Sequence, residues 1–272
     1  MPVPSLLAVF AHPDDESLSA GGVLARQASA GARTAVVTAT RSADTARAGE
    51  LAEALRLLAA GPPRMLGYAD SRVPHSAPGR PRWCDAPLDE AVGELVAHLR
   101  DFRPEIVVTH DAYGGLTGHE DHVHTHRVTV LAAHAAGLER LYPEAGQPWQ
   151  PKALYVSTHP HQAVRTWGAH LALAGKALRT VPDEHVTATV DVTPWLDRKI
   201  AAILAHRTEV TRGAAPGLVA ALTAPERHHL LGTEYYTRHD LPPQAPPDRS
   251  PPLNRPQRHT EAVTPCRRGA PH

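Results

Sequence analysis

Apolar and polar positions divide the chain into short hydrophobic runs separated by longer stretches of helical spacing. Leu6 to Phe10 (LLAVF) has no polar interruption, the mark of a buried strand. Thr34 to Thr40 (TAVVTAT) is rich in β-branched residues, and Glu105 to His110 (EIVVTH) repeats the pattern. Arg64 to Tyr68, Ala153 to Thr158 and His185 to Val192 read as further strands, with LLGTEYY as a short last one. Leu51, Leu55 and Leu58 share one helical face, as do Leu88, Val92, Leu95, Val96 and Leu99. These predict helices over about 45–60 and from 88 to the stop at Pro104. A looser helix follows the first strand as far as Gly31, and residues 119–136 form another. Residues 163–180 read as partly helical, and Trp195 to Val210 as one helix. Residues 70–87 are polar and proline-rich and read as a surface loop.

Strands alternating with helices of this length predict an α/β fold. Its core is a Rossmann-like, mostly parallel sheet with helices on both faces, and its C-terminal part is smaller and less regular. One domain is expected over 1–241. Residues 242–272, with nine of the 27 prolines, read as an extended tail. In such sheets ligands gather beyond the carboxyl ends of the strands.

Two stretches fall at that rim. The first is AHPDDES, Ala11 to Ser17. Pro13 disfavours helix for the residue before it, so the chain turns and can aim His12 and Asp15 at one point. Asp14, Asp15 and Glu16 repel one another unless a cation sits among them. A metal held by His12 and Asp15 is one reading; an acid-rich helix start is the other. The second stretch is Gly118 to His122 (GHEDH). His119 and His122 stand three apart, on one helix face. Two imidazoles and a carboxylate leave an open position for water, as in hydrolytic zinc sites. His122, His124 and His126 could instead form a second metal site, and His159 and His161 also follow a strand.

Composition narrows the classes. Acids and bases number 28 each, so no basic nucleic-acid footprint exists. Cys84 and Cys266 are too few for a disulfide framework, though the two could pair. The start lacks a secretory pattern, and no run reaches the roughly 20 apolar residues of a membrane span. A soluble cytoplasmic protein without stable membrane insertion is expected. The first strand is not followed by GxGxxG, against a nicotinamide enzyme. The 19 histidines suit metal or acid–base chemistry.

AHPDDE with SAGG, then RAGELAEAL, LGYADS, IVVTH, GHEDH and KIAAILAHRTE resemble the LmbE-like or PIG-L zinc-dependent de-N-acetylases. The match spans residues 5 to about 210. The resemblance implies a metal-dependent amidohydrolase that removes acetyl from an N-acetylglucosaminyl conjugate. It implies Zn2+ held by His12, Asp15 and His122, Asp14 as general base, and His119 at the oxyanion. On physical grounds a protonated His119, kept charged by Asp121, suits that oxyanion. Arg47 and Asp70 match sugar-binding positions. Two departures stand out: Glu120 replaces a proline, and Thr117 stands where some relatives carry a tyrosine, which leaves Tyr113, on the same loop, as the candidate for that tyrosine's role at the substrate. The substrate expected first is a glycopeptide antibiotic pseudoaglycone of the teicoplanin type. The second is N-acetylglucosaminyl-inositol of thiol biosynthesis. Other classes are an iron(II) oxygenase, which also uses two histidines and a carboxylate, and a non-catalytic sugar-binding module.

Overall fold

A computed structural model describes residues 3–165 and 178–241. Its seven-stranded sheet runs β3-β2-β1-β4-β5-β7-β6. The strands are β1 (Leu6–Phe10), β2 (Thr34–Thr40), β3 (Arg64–Tyr68), β4 (Ile106–His110), β5 (Ala153–Ser157), β6 (Ala188–Asp191) and β7 (Thr233–Asp240). β1 to β5 are parallel, and β7 runs antiparallel to both its neighbours. The mixed α/β expectation is borne out. The proline-rich tail, Cys266 and residues 166–177 lie outside the described residues, whereas Cys84 is free.

β1 is the centre because each of its faces has a cover. Successive side chains point to opposite sides. Leu7 and Val9 join the core under α3 (Leu88–Phe102) and α4 (Glu120–Ala135). Leu6, Ala8 and Phe10 join the core under α1 (Asp15–Ser29), α2 (Ala46–Leu57) and α5 (Leu196–Ala205). Gly22 lets α1 lie this close: a Cβ there would sit 2.4 Å from Cβ of Val192. α2 is capped by Thr45, whose side chain accepts from the Ala48 N–H.

Three expectations change. The helix expected over 195–210 breaks at His206, and the chain continues as α6 (Arg207–Arg212). No proline or glycine causes the break. His206 instead turns its ring inward onto Glu16. Residues 70–87 are more than a surface loop, since two 3-10 turns bury Trp83, whose Nε1 donates to Thr125 Oγ1 at 2.8 Å. The last strand starts only at Thr233, because Leu230 and Leu231 end a helix, Ala224–Leu231. That helix and its neighbour Ala215–Ala221 were not foreseen, although Thr223 and Glu226 form a capping box visible as T-x-x-E. Among the described residues, no helix is long and apolar enough to cross a membrane.

Candidate metal centre

The chain passes from β1 to β2 and β3 on one side, then returns to β4 on the other. This reversal leaves a crevice beyond the carboxyl ends of β1 and β4. His12 stands just past β1, and His122 lies in the first turn of α4 after the β4 loop. His12 Nδ1, Asp15 Oδ2 and His122 Nε2 form a nearly equilateral triangle. Its sides are 3.2 Å, 3.2 Å and 3.3 Å. A tetrahedral zinc ion with bonds of about 2.0–2.1 Å holds its ligand atoms about 3.3 Å apart. The donor set therefore fits such an ion, with a fourth position open.

The outer nitrogens of both rings are engaged. His12 Nε2 meets Asp121 Oδ2 at 3.0 Å, and His122 Nδ1 meets the Gly114 carbonyl at 3.2 Å. Such contacts fix tautomer and ring plane and leave the inner nitrogens turned toward one another, available to an ion. Asp121 is 0% exposed and accepts from the backbone N–H groups of Ser71 and Cys84 at 2.9 and 3.1 Å. Asp121 thus serves His12, a correction to its expected pairing with His119, whose Nδ1 is 4.0 Å away.

Charge at the centre points the same way. Burial lowers the basicity of His12, but Asp121 and Asp15 override it and raise its pKa to about 10. A site this acidic draws a cation. Burial would raise the Asp15 carboxyl, yet His122 and His110 hold it well below the usual range. Burial and the neighbouring Asp15 raise Asp14 to about 7, against the pull of Arg47. Burial, His12 and His122 lower His119 to about 4. This corrects the expected protonated His119. Its Nδ1 accepts the Asp121 N–H at 3.2 Å, so the neutral ring carries its proton on Nε2.

A cavity of about 340 Å³ opens over this centre, lined by His12, Asp14, Asp15, Arg47, Asp70, His119 and His122, with Thr117 beside them. Arg47 Nη2 lies 3.2 Å from Asp14 Oδ1, and its Nη1 lies 2.8 Å from Glu209 Oε1. Asp70 Oδ2 accepts from Arg41 at 2.9 Å. Tyr113 is the misplaced member. It is 49% exposed and lines a different cleft with His126 and His134, because positive-φ turns at Gly114 and Gly115 divide the loop. Among the described residues, no candidate metal group includes His124, His126, His159 or His161. His124 packs edge-on against Trp83, and His126 Nδ1 meets the His110 carbonyl.

Sequence reasoning missed several neighbours. His110 stacks on His122 with ring centroids 3.9 Å apart, and its Nε2 lies 3.5 Å from Asp15. That nitrogen already accepts the Ala11 N–H, which favours His12 as the third ligand. His110 ends the IVVTH strand, so its rim position was readable. Glu16, His206 and Glu209 were not readable as a group, being joined only through space.

The family model for PIG-L, described as GlcNAc-PI de-N-acetylase, matches residues 7–133. A 1D-myo-inositol 2-acetamido-2-deoxy-alpha-D-glucopyranoside deacetylase of Rhodococcus jostii is 37% identical over 266 residues, covering 85% of this chain and 90% of its own. Among solved structures, the N,N'-diacetylchitobiose deacetylase of Pyrococcus horikoshii superposes with TM-score 0.60 at 19% identity, over 87% of this chain and 84% of that one. A deacetylase of the teicoplanin biosynthesis pathway superposes with TM-score 0.54 at 21% identity, over 87% and 99%. At these identities the two structures speak for the fold alone. The near full-length likeness to the inositol glycoside deacetylase goes further: this chain belongs to the PIG-L de-N-acetylase family and is a hydrolytic N-deacetylase.

Proposed function

We propose that this chain removes the acetyl group from a small N-acetylglucosaminyl-inositol conjugate, using Zn2+ held by His12, Asp15 and His122. The observation that carries the substrate is the 37% identity to an inositol glycoside deacetylase over 85% of this chain. It supports the second substrate expectation better than the antibiotic pseudoaglycone, whose named relatives contribute fold likeness only. A cavity of about 340 Å³ also suits a compact glycoside, being near the lower end of the usual range of roughly 300–1,000 Å³. The same identity sets aside the oxygenase and the non-catalytic module.

A divalent ion held by His12, Asp15 and His122 would supply an acidified water and polarise the acetyl carbonyl. Asp14 faces the cavity beside the ligands, and its raised pKa suits a base working near neutrality. It takes a proton from the attacking water and returns it to the departing sugar nitrogen. His119 donates from Nε2 to the developing oxyanion. Asp121 orients His12. Arg47 and Asp70 line the cavity where sugar hydroxyls would lie. Water adds to the carbonyl carbon, the C–N bond breaks, and acetate and a free amine leave.

The test is a mass-spectrometric screen for loss of acetyl. N-acetylglucosaminyl-inositol and an N-acetylglucosaminyl glycopeptide pseudoaglycone are offered in parallel, with His122→Ala as the blank. Turnover of the inositol glycoside well above the pseudoaglycone, lost on chelation and restored by zinc, is expected. The reverse preference would overturn the substrate assignment.

A further inference from the structure

Asp14 begins α1, yet its carboxylate does not cap the helix, as an aspartate there usually would. Its backbone is turned to φ 128°, a region that L-residues rarely enter. Strain of this kind persists only where the surroundings over-determine it. Here the holding group is Glu16. Its Oε2 accepts the Asp14 N–H at 2.9 Å, and its Oε1 accepts from Ser17 Oγ at 2.6 Å. The same Oε1 meets His206 Nε2 at 2.9 Å, and both residues are fully buried. His206 arrives 190 positions later, at the break between α5 and α6.

We propose that Glu16 and His206 are positioning residues for the base: the buried pair holds Asp14 in its left-handed turn and keeps its carboxylate in the cavity. This rests on the reading of Asp14 as the base. The reasoning is geometric. A capping aspartate would fold its carboxylate back onto the helix N–H groups. Glu16 takes one N–H of that turn from behind, and Arg47 meets the carboxylate in front at 3.2 Å. Without His206, Glu16 keeps Ser17 as its one side-chain partner among the described residues and can relax away from Asp14. The break in the helix that ends at Ala205 has no local cause, and this contact is what it achieves.

The alternative is that the pair merely ties α1 to α5. A double-mutant cycle separates the two, using the zinc-loaded full chain and N-acetylglucosaminyl-inositol. His206→Phe is expected to lower kcat by about 10²-fold, the cost of a small misplacement of a reacting group. KM and bound zinc should stay within about twofold, and His206→Gln, which keeps a donor, should recover most of the rate. In an Asp14→Asn background, His206→Phe should lower kcat no further. Equal fold losses in both backgrounds, or loss of zinc in step with activity, would overturn the proposal. Should His206→Phe fail to fold, Glu16→Gln carries the same cycle: its loss of kcat should vanish in the Asp14→Asn background, and an equal fold loss in both backgrounds would overturn the proposal. An Asp14→Asn enzyme with the parental rate would instead defeat the base assignment.

Discussion

Residues 12–16 with 119–122, and residues 196–212, meet at the same acids but serve them differently. The first group presents His12, Asp14, Asp15, His119 and His122 to the cavity. The second, from α5 and α6, reaches the cavity wall at Glu209, which meets Arg47, and at Arg212, and sets its other charges behind the site: His206 on Glu16, and Lys199 on Glu234 at 2.8 Å. Reacting groups come from short local motifs, whereas the groups that hold them come from far along the chain. A substitution in the first group should therefore cost rate or metal at little cost in stability. One in the second should cost stability or aim.

The sharpest break between the two is at Lys199, 2% exposed and bonded also to the Leu231 carbonyl. Lys199→Met leaves Glu234 buried without its cation and should lower unfolding free energy by about 3–5 kcal/mol. Denaturant unfolding measures this, and kcat per folded molecule should hold. On the other side, His119→Ala should lower kcat by about 10²–10³-fold at a stability cost of about 1 kcal/mol, that of a lost helix cap. A large drop in stability there would blur the division. Asp121→Asn should weaken zinc binding by about 10–100-fold, read by chelator competition.

The smallest effect is one of pH. Burial opposes ionisation of Glu16, but His206 holds its pKa below 4.5; burial opposes protonation of His206, but Glu16 holds its pKa above 6.5. The Glu16 contribution is present above 4.5 and is lost as pH falls through its folded value. That of His206 is complete below 6.5 and is lost as pH rises through its own. The gap in melting temperature between the parent and His206→Gln should be widest between those values. A gap that is constant from mildly acid to alkaline pH would contradict this.

What was legible follows the same division. β1, β2 and β4 read cleanly because parallel strands covered on both faces are continuous apolar runs. β6 alternates half-buried and exposed residues, so its limits blurred and only Ala188–Asp191 is strand. His12 and Asp15 were visible because a turn can aim both at the rim; helix spacing left His119 and His122 as alternatives, and the family resemblance chose His122. The partner of Asp121 was not, since proximity in sequence pointed to His119 while the fold delivers His12 from 109 residues away. Tyr113 failed for a related reason. Membership of a loop says nothing about which side faces the cavity once glycines at positive φ turn it. The kink at His206 has no proline or glycine to signal it; the partners that meet the chain there, Glu16 on His206 and Glu50 on Thr208, come from α1 and α2.

The place of β7 between β5 and β6 separates the order of synthesis from the order of assembly. A nascent polypeptide that has reached residue 232 exposes β5 as a raw edge and leaves β6 with no strand beside it. α1 is also unfinished, since Glu234 on β7 accepts from the Gly22 and Val23 N–H groups at 2.8 and 3.0 Å. The helix that carries Asp15 is therefore fastened by a strand made 211 residues after the N–H it holds.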